Sequence, residues 1–204
     1  MKRKRILALF LAAVSCLSLA VSASAANTPN RNATDFRDFD RTAWYAEAVS
    51  AAVDNGLLYG KSSSIIDPNG DMTRAEMAAI INRSFGCYKA ADISQYKDVA
   101  KSKWYYKDVA MAVQMGTYNG RSASSMAPDA PISRQEAMTV VARALELDYD
   151  SYSKTDLSAF SDRSEISNWA LPYVRAMVGA DYIHGRGKVL APLDNCLLYT
   201  SDAA

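Results

Sequence analysis

The sequence predicts a mainly α protein built from tandem helix-loop-helix copies, and two observations carry that prediction. First, landmark residues recur: Trp44, Trp104 and Trp169 stand 60 and 65 residues apart, Gly60, Gly120 and Gly185 each follow their tryptophan by 16 residues, and Pro68, Pro128 and Pro192 come next. A period of this length marks units that bury their apolar faces on one another. Second, apolar residues between the landmarks recur at helical spacing.

The elements follow in chain order. Residues 1–25 read as a secretory signal peptide: Lys2, Arg3, Lys4 and Arg5 precede an uncharged apolar run from Ile6 to Val21, and Ala23 and Ala25 form a small-residue cleavage site. The run is about 16 residues, short of the roughly 20 that cross a bilayer. A lipidated Cys16 would need the apolar stretch to end there, and it continues to Val21. Residues 26–35 are a linker.

The first copy, 36–90, opens on Phe36-x-Asp38. Its first helix carries Tyr45, Ala48, Val49, Ala52 and Val53 on one face and ends at Gly56. The loop from Gly60 to Met72 is rich in Ser and Gly, and Pro68 argues against a central strand, so one or two short extended segments are expected at most. The second helix starts at Thr73, where Thr73 and Glu76 form a capping box, and its buried stripe is Met77, Ile80, Ile81 and Phe85.

The second copy, 91–150, repeats the scheme. Tyr96-x-Asp98 leads to Val109, Ala112, Val113 and Gly116, and Ser133 with Glu136 caps a helix whose stripe is Ala137, Val140, Val141 and Leu145. The third copy, 151–195, has Phe160-x-Asp162 and an apolar face of Ala170, Tyr173, Val174 and Met177, with Asp181 where the other copies have Gly56 and Gly116. Its second helix is missing. Residues 196–204 resemble sequencing read-through and are expected to be a non-native tail, so a C-terminal cargo domain is expected to be absent from this sequence.

Composition removes several function classes. The 23 basic and 22 acidic residues give a net charge of +1, and loss of the four basic residues of the leader brings it to −3. No basic stripe remains to neutralise a phosphate backbone, so nucleic acid is not a partner. Cys87 and Cys196 lack the paired spacing of a metal or redox site, although an exported protein could join them by a disulfide. Asp67, Asn69 and Asp71 fall short of a calcium loop, because Ala78 stands where a bidentate Glu is required. His184, the only histidine, replaces Tyr59 and Asn119 of the other copies and reads as a surface turn residue. No metal, cofactor or catalytic set is expected.

The landmarks resemble the S-layer homology domain family. Phe36, Asp38, Trp44, Gly56 to Gly60, Pro68 and Thr73-Arg74-Ala75-Glu76 carry the resemblance in the first copy. Tyr96, Asp98, Trp104, Gly116 to Gly120, Pro128 and Ser133-Arg134-Gln135-Glu136 carry it in the second, and Phe160, Asp162, Trp169, Gly185 and Pro192 in the third. The resemblance implies a pseudo-three-fold helical bundle on the cell surface, without enzymatic activity, that binds secondary cell wall polysaccharide, often pyruvylated, in grooves between copies. By position its ligand contacts would be Arg74 and Arg134, Asp38 and Asp98, Trp44 and Trp104, and Gly60 and Gly120.

The residue chemistry suits that expectation. A pyruvyl ketal bears a carboxylate, which the planar fork of Arg meets bidentately. Arg74 and Arg134 stand in first helical turns, where an anion would be favoured and where a cation opposes the dipole and so needs another reason. An internal salt bridge is the other reading of the pair. Each tryptophan can stack on a sugar or anchor a core, and glycine admits close backbone approach. Rival readings keep the fold but bind peptidoglycan directly, anchor a hydrolase, or build a surface array.

Overall fold

The computed structural model describes residues 31–198, so the expected signal peptide, part of the expected linker and residues 199–204 lie outside the described residues. Among the described residues, two short 3-10 turns, Ala33–Asp35 and Arg163–Glu165, accompany five α-helices: α1, Ala46–Asp54; α2, Arg74–Phe85; α3, Tyr106–Gln114; α4, Arg134–Ala144; and α5, Leu171–Gly179. No strand is present among the described residues, and the extended segments contribute only isolated bridges. The mainly α expectation holds.

By its contacts the chain divides after Pro68 into two compact units. The division falls inside the first copy, and the partners of α2 give the reason. Within the second unit, the second helix of one copy packs on the first helix of the next, α2 on α3 and α4 on α5, and α2 also meets α4. Asn82 of α2 reinforces the first of these contacts, donating through Nδ2 to Asp108 O at 2.7 Å. A two-helix copy cannot cover both apolar faces alone, so the copies interlock.

In the first unit, a short turn at Ala33–Asp35 packs on α1, and Phe36, Tyr45, Val49, Val53 and Ile66 are buried. Asp38 closes this unit's loop by accepting from the amides of Ile66 (2.9 Å) and Asp67 (2.7 Å).

The capping boxes form as the sequence predicts. Thr73 accepts from the Glu76 amide and Ser133 from the Glu136 amide, while each glutamate reaches back to its cap residue's own amide. The buried stripes differ from expectation. Phe85 is exposed and Ile80, Val141 and Leu145 are only half-buried, whereas Ala75, Ala78, Ala79, Ala142 and Ala144 are fully inside. Small residues let α2, α3 and α4 approach closely, which moves the seam toward the alanines.

A closed ring of backbone hydrogen bonds joins three segments of the second unit. The amide of Met72 donates to Cys196 O (2.9 Å), that of Ile132 to Met72 O (2.9 Å), and that of Cys196 to Ile132 O (2.8 Å). The register sets Thr73-Arg74, Ser133-Arg134 and Leu197-Leu198 in corresponding places. No disulfide joins Cys87 and Cys196.

Candidate functional site

A groove of about 670 Å³ opens over α4 in the second unit, bounded by the turn 117–121 on one side and by Ser167 and Trp169 on the other. Arg74 and Glu136 form its floor. Arg74 is buried, with Nη1 donating to Glu136 Oε1 (2.9 Å), Nε to Met126 O (2.9 Å) and Nη2 to Asn119 O (3.1 Å). Its guanidinium carbon lies 5.2 Å from the Tyr118 ring centre, a cation–π distance.

Arg121 reaches Glu136 from the open side, donating through Nε to Oε1 (3.0 Å) and through Nη2 to Oε2 (3.0 Å). The Ser133 amide gives Oε2 a further bond at 2.8 Å. Burial pushes the Glu136 carboxyl up, but the Arg121 bonds, the Ser133 amide and the Arg74 charge outweigh it and hold the group below its ordinary range. Gln135 ties the far wall to α4: its Oε1 accepts from the Ser167 amide at 2.9 Å and its Nε2 donates to Ser167 Oγ at 3.2 Å. Arg143 completes the lining and lies 4.7 Å over the Tyr173 ring.

Of the residues expected from sequence, this groove brings together Arg74 and Gly120. Arg134 is buried elsewhere, its Nε donating to Leu190 O at 2.9 Å. The expectation of free first-turn amides for an anion is corrected. The Arg74 and Ala75 amides donate to Ala130 O and Pro128 O, those of Arg134 and Gln135 to Asp194 O and Pro192 O, and the capping hydroxyls take the amides of Glu76 and Glu136. The tryptophans are not core anchors: Trp44, Trp104 and Trp169 are 61%, 60% and 52% exposed. The adjacent Tyr45 and Tyr105 are buried instead and meet their tryptophans edge-on at 5.7 and 5.3 Å.

The motif aspartates share one geometry. Asp98 accepts from the amides of Met126 (2.9 Å) and Ala127 (2.7 Å) and from Ser125 Oγ (2.7 Å), and Asp162 accepts from those of Leu190 and Ala191, as Asp38 does in the first unit. Burial is the largest single influence on the Asp98 carboxyl and raises it, but these donors together outweigh it and hold the group below its ordinary range. The clamped residues Asp67, Ala127 and Ala191 have φ of 58°, 51° and 49° just before a proline, strained turns that the carboxylates hold in place.

The glycines also have a packing reason. A Cβ on Gly60 would meet Phe36 Cε1 and Ile65 O at 2.6 Å, and one on Gly120 would meet the Tyr96 ring and Ser122 O. The repeated aromatic and the repeated glycine are therefore contact partners. The sequence reading left out Arg121, Gln135 and Arg143 as site residues, and a signal for the first was present. A basic residue follows the repeated glycine in every copy, as Lys61, Arg121 and Arg186.

A model of the S-layer homology domain matches residues 35–78 and 95–138. The chain belongs to the S-layer homology domain family. It is 33% identical over 177 residues to a surface-layer 125 kDa protein of Lysinibacillus sphaericus, covering 86% of this chain and 14% of that protein. An endoglucanase of a Bacillus species matches at 25% over 185 residues, 89% of this chain and 19% of that enzyme. A cellulosome-anchoring protein of Acetivibrio thermocellus matches at 27% over 134 residues, 63% of this chain and 30% of that protein. The S-layer homology chain thus spans less than a third of the length of each of these relatives.

Proposed function

We propose that this chain is a noncovalent anchor that holds a secreted protein on the bacterial cell wall by gripping an acidic secondary cell wall polysaccharide. The coarse part of this reading, a surface module that anchors to the wall, rests on the S-layer homology domains and on relatives whose names describe surface-layer, cell-wall and anchoring proteins. It is a binding module, and no reaction is assigned to it.

The observation that carries the finer reading is the lining of the α4 groove. Trp169 offers an exposed ring for a sugar face. Arg121 spends Nε and Nη2 on Glu136 and Pro131, and no described residue accepts from its Nη1. Arg143 adds a second cation, its guanidinium 4.7 Å over the Tyr173 ring. A pyruvylated sugar offers both features at once, a ring face for Trp169 and a carboxylate for a guanidinium. Arg74 supports the site from beneath, and Asp38, Asp98, Gly60 and Gly120 shape the loops. Trp44, Trp104 and Arg134 belong to corresponding places in other copies. The ring of bonds through Met72, Ile132 and Cys196 supports a pseudo-three-fold arrangement.

The relatives include an endoglucanase and a surface-layer protein, so the cargo proposed for this anchor is either a hydrolase or an array-forming domain. The test is co-sedimentation of the mature chain with wall sacculi before and after acid extraction of the secondary polymer, beside Trp169→Ala and Arg121→Ala. Loss of binding on extraction, and in both variants with helicity retained, is the expected result. Binding that survives extraction would overturn the polysaccharide reading in favour of peptidoglycan.

A further inference from the structure

The third copy has a basic pocket that the α4 groove does not account for. Lys154, Arg163 and Arg175 line a hollow of about 530 Å³ together with Thr155, Asp156 and Ser158. Arg175 stands in mid-helix on α5, between the buried Val174 and Ala176. The corresponding residue of α3 is Ala110, which is fully buried, and α1 has Ser50 there. The arginine is therefore particular to the third copy.

Its Nε is buried and has no hydrogen-bond partner among the described residues. A buried cationic donor without an acceptor is costly, and structures keep such groups where a ligand supplies the acceptor. The charge balance agrees. Three cations face one carboxylate, Asp156, and that carboxylate is turned onto its own loop, accepting from Ser158 N (2.8 Å) and Ser158 Oγ (2.7 Å). Arg163 Nη1 has only a long bond to Phe160 O at 3.3 Å.

One wall of the hollow is packed closely against α5. A Cβ on Gly179, at the end of α5, would collide with Thr155 Oγ1 and lie 2.6 Å from Tyr152 Cδ1, so the 152–155 loop rests directly on the helix backbone. Lys154 and Thr155 are thereby held beside Arg175.

We propose that this pocket is a phosphate site, with Arg175 Nε as the innermost donor and Lys154 and Arg163 closing over the outer oxygens. Three cations around one carboxylate leave a net positive charge for an anion, and the guanidinium forks match the several oxygens of a phosphate group. The phosphate can belong to a wall polymer or be free in solution. The site is separate from the α4 groove and does not rest on the reading given to that groove.

The test is titration of the mature chain with inorganic phosphate, following the Arg175 Nε–Hε resonance by NMR at constant ionic strength. The expected result is a saturable shift that acetate reproduces only at about tenfold higher concentration or more. Arg163→Gln, and separately the exposed Lys154→Ala, should weaken the response at least about tenfold while the fold is retained. Trp169→Ala should leave it unchanged, so failure here is distinguishable from failure of the wall-binding reading. A response that is linear, that chloride matches, or that persists in both variants would overturn the site. With the site established, tighter binding of a glycerol-phosphate oligomer than of inorganic phosphate assigns it to a polymer, and equal binding to the free ion.

Discussion

Arg74 Nη1 donates to Glu136 Oε1 at 2.9 Å, so the arginine of the first copy's motif is held by the glutamate of the second copy's motif. Both side chains are enclosed, at 5% and 12% exposure. One residue type thus serves its own helix as a cap and its neighbour as an ion-pair partner. A cation in the first turn of α2 opposes the helix dipole, and this contact supplies the compensation. Removing Arg74 strands part of a buried carboxylate and leaves Met126 O and Asn119 O without their donor. Arg74→Ala is expected to cost about 3 kcal/mol, read from the urea midpoint. Arg121→Ala, which breaks an exposed arm of the same network, should cost about 1 kcal/mol or less.

Acid sensitivity follows from the same carboxylate. The folded-state Glu136 carboxyl lies below its ordinary value of 4.5, held there by Arg121, the Ser133 amide and Arg74 against the opposing effect of burial. A depressed carboxyl adds stability that is fully present above its unfolded value and is lost as pH falls through the folded one. The urea midpoint should therefore drop as pH is lowered below about 4.5, and Glu136→Gln should flatten that limb while lowering stability at neutral pH. Asp38 and Asp98 are also held low, so a residual slope should remain.

The helix starts and the repeat are legible in the sequence alone. Helix starts were readable because Thr73 with Glu76, and Ser133 with Glu136, state a cap in four residues. The period was readable because Trp, Gly and Pro recur. What eluded the sequence was which part of a motif faces inward. Arginine in an exposed first turn and arginine folded under a neighbouring copy have the same local sequence, and only the packing of α2 beside α4 decides between them. The tryptophans failed for a related reason: Tyr105 and Trp104 are adjacent and both aromatic, and the rotation of α3 buries one and exposes the other. Aspartate clamps were hidden because their targets lie 28 and 29 residues away in sequence.

Those clamps make a third prediction. Asp98 is the acceptor for the Met126 and Ala127 amides, and the clamped Ala127 sits at φ 51°. Asp98→Ala should destabilise by about 1 kcal/mol, a modest figure because the carboxylate is solvent-exposed. Hydrogen exchange is the sharper readout. Protection at Met126 and Ala127 should fall by about tenfold or more, while amides in α4 change only by the global loss. Unchanged protection at the two loop amides would contradict the clamp.

Two glycines four residues apart separate backbone strain from steric exclusion. Gly116 has φ 78° and open space where a Cβ would stand, so Gly116→Ala should cost only the left-handed penalty, about 1 kcal/mol. Asp181, at φ 68° in the matching place of the third copy, shows that a short polar side chain is tolerated there, and Gly116→Asn should be milder than Gly116→Ala. Gly120 has no such φ, yet a Cβ there would meet the Tyr96 ring, Ser122 O at 2.5 Å and Ser125 O at 2.8 Å. Two of those three are backbone atoms, which cannot rotate away, so the loop itself must move. Gly120→Ala should therefore cost about 2 kcal/mol or more and, because Gly120 and Arg121 border the α4 groove, should weaken wall binding as well. Gly116→Ala should leave wall binding at the wild-type level. Thermal unfolding together with sacculus co-sedimentation of the two variants checks both halves, and equal losses in stability and binding would mean that the distinction drawn from the two Cβ environments is wrong.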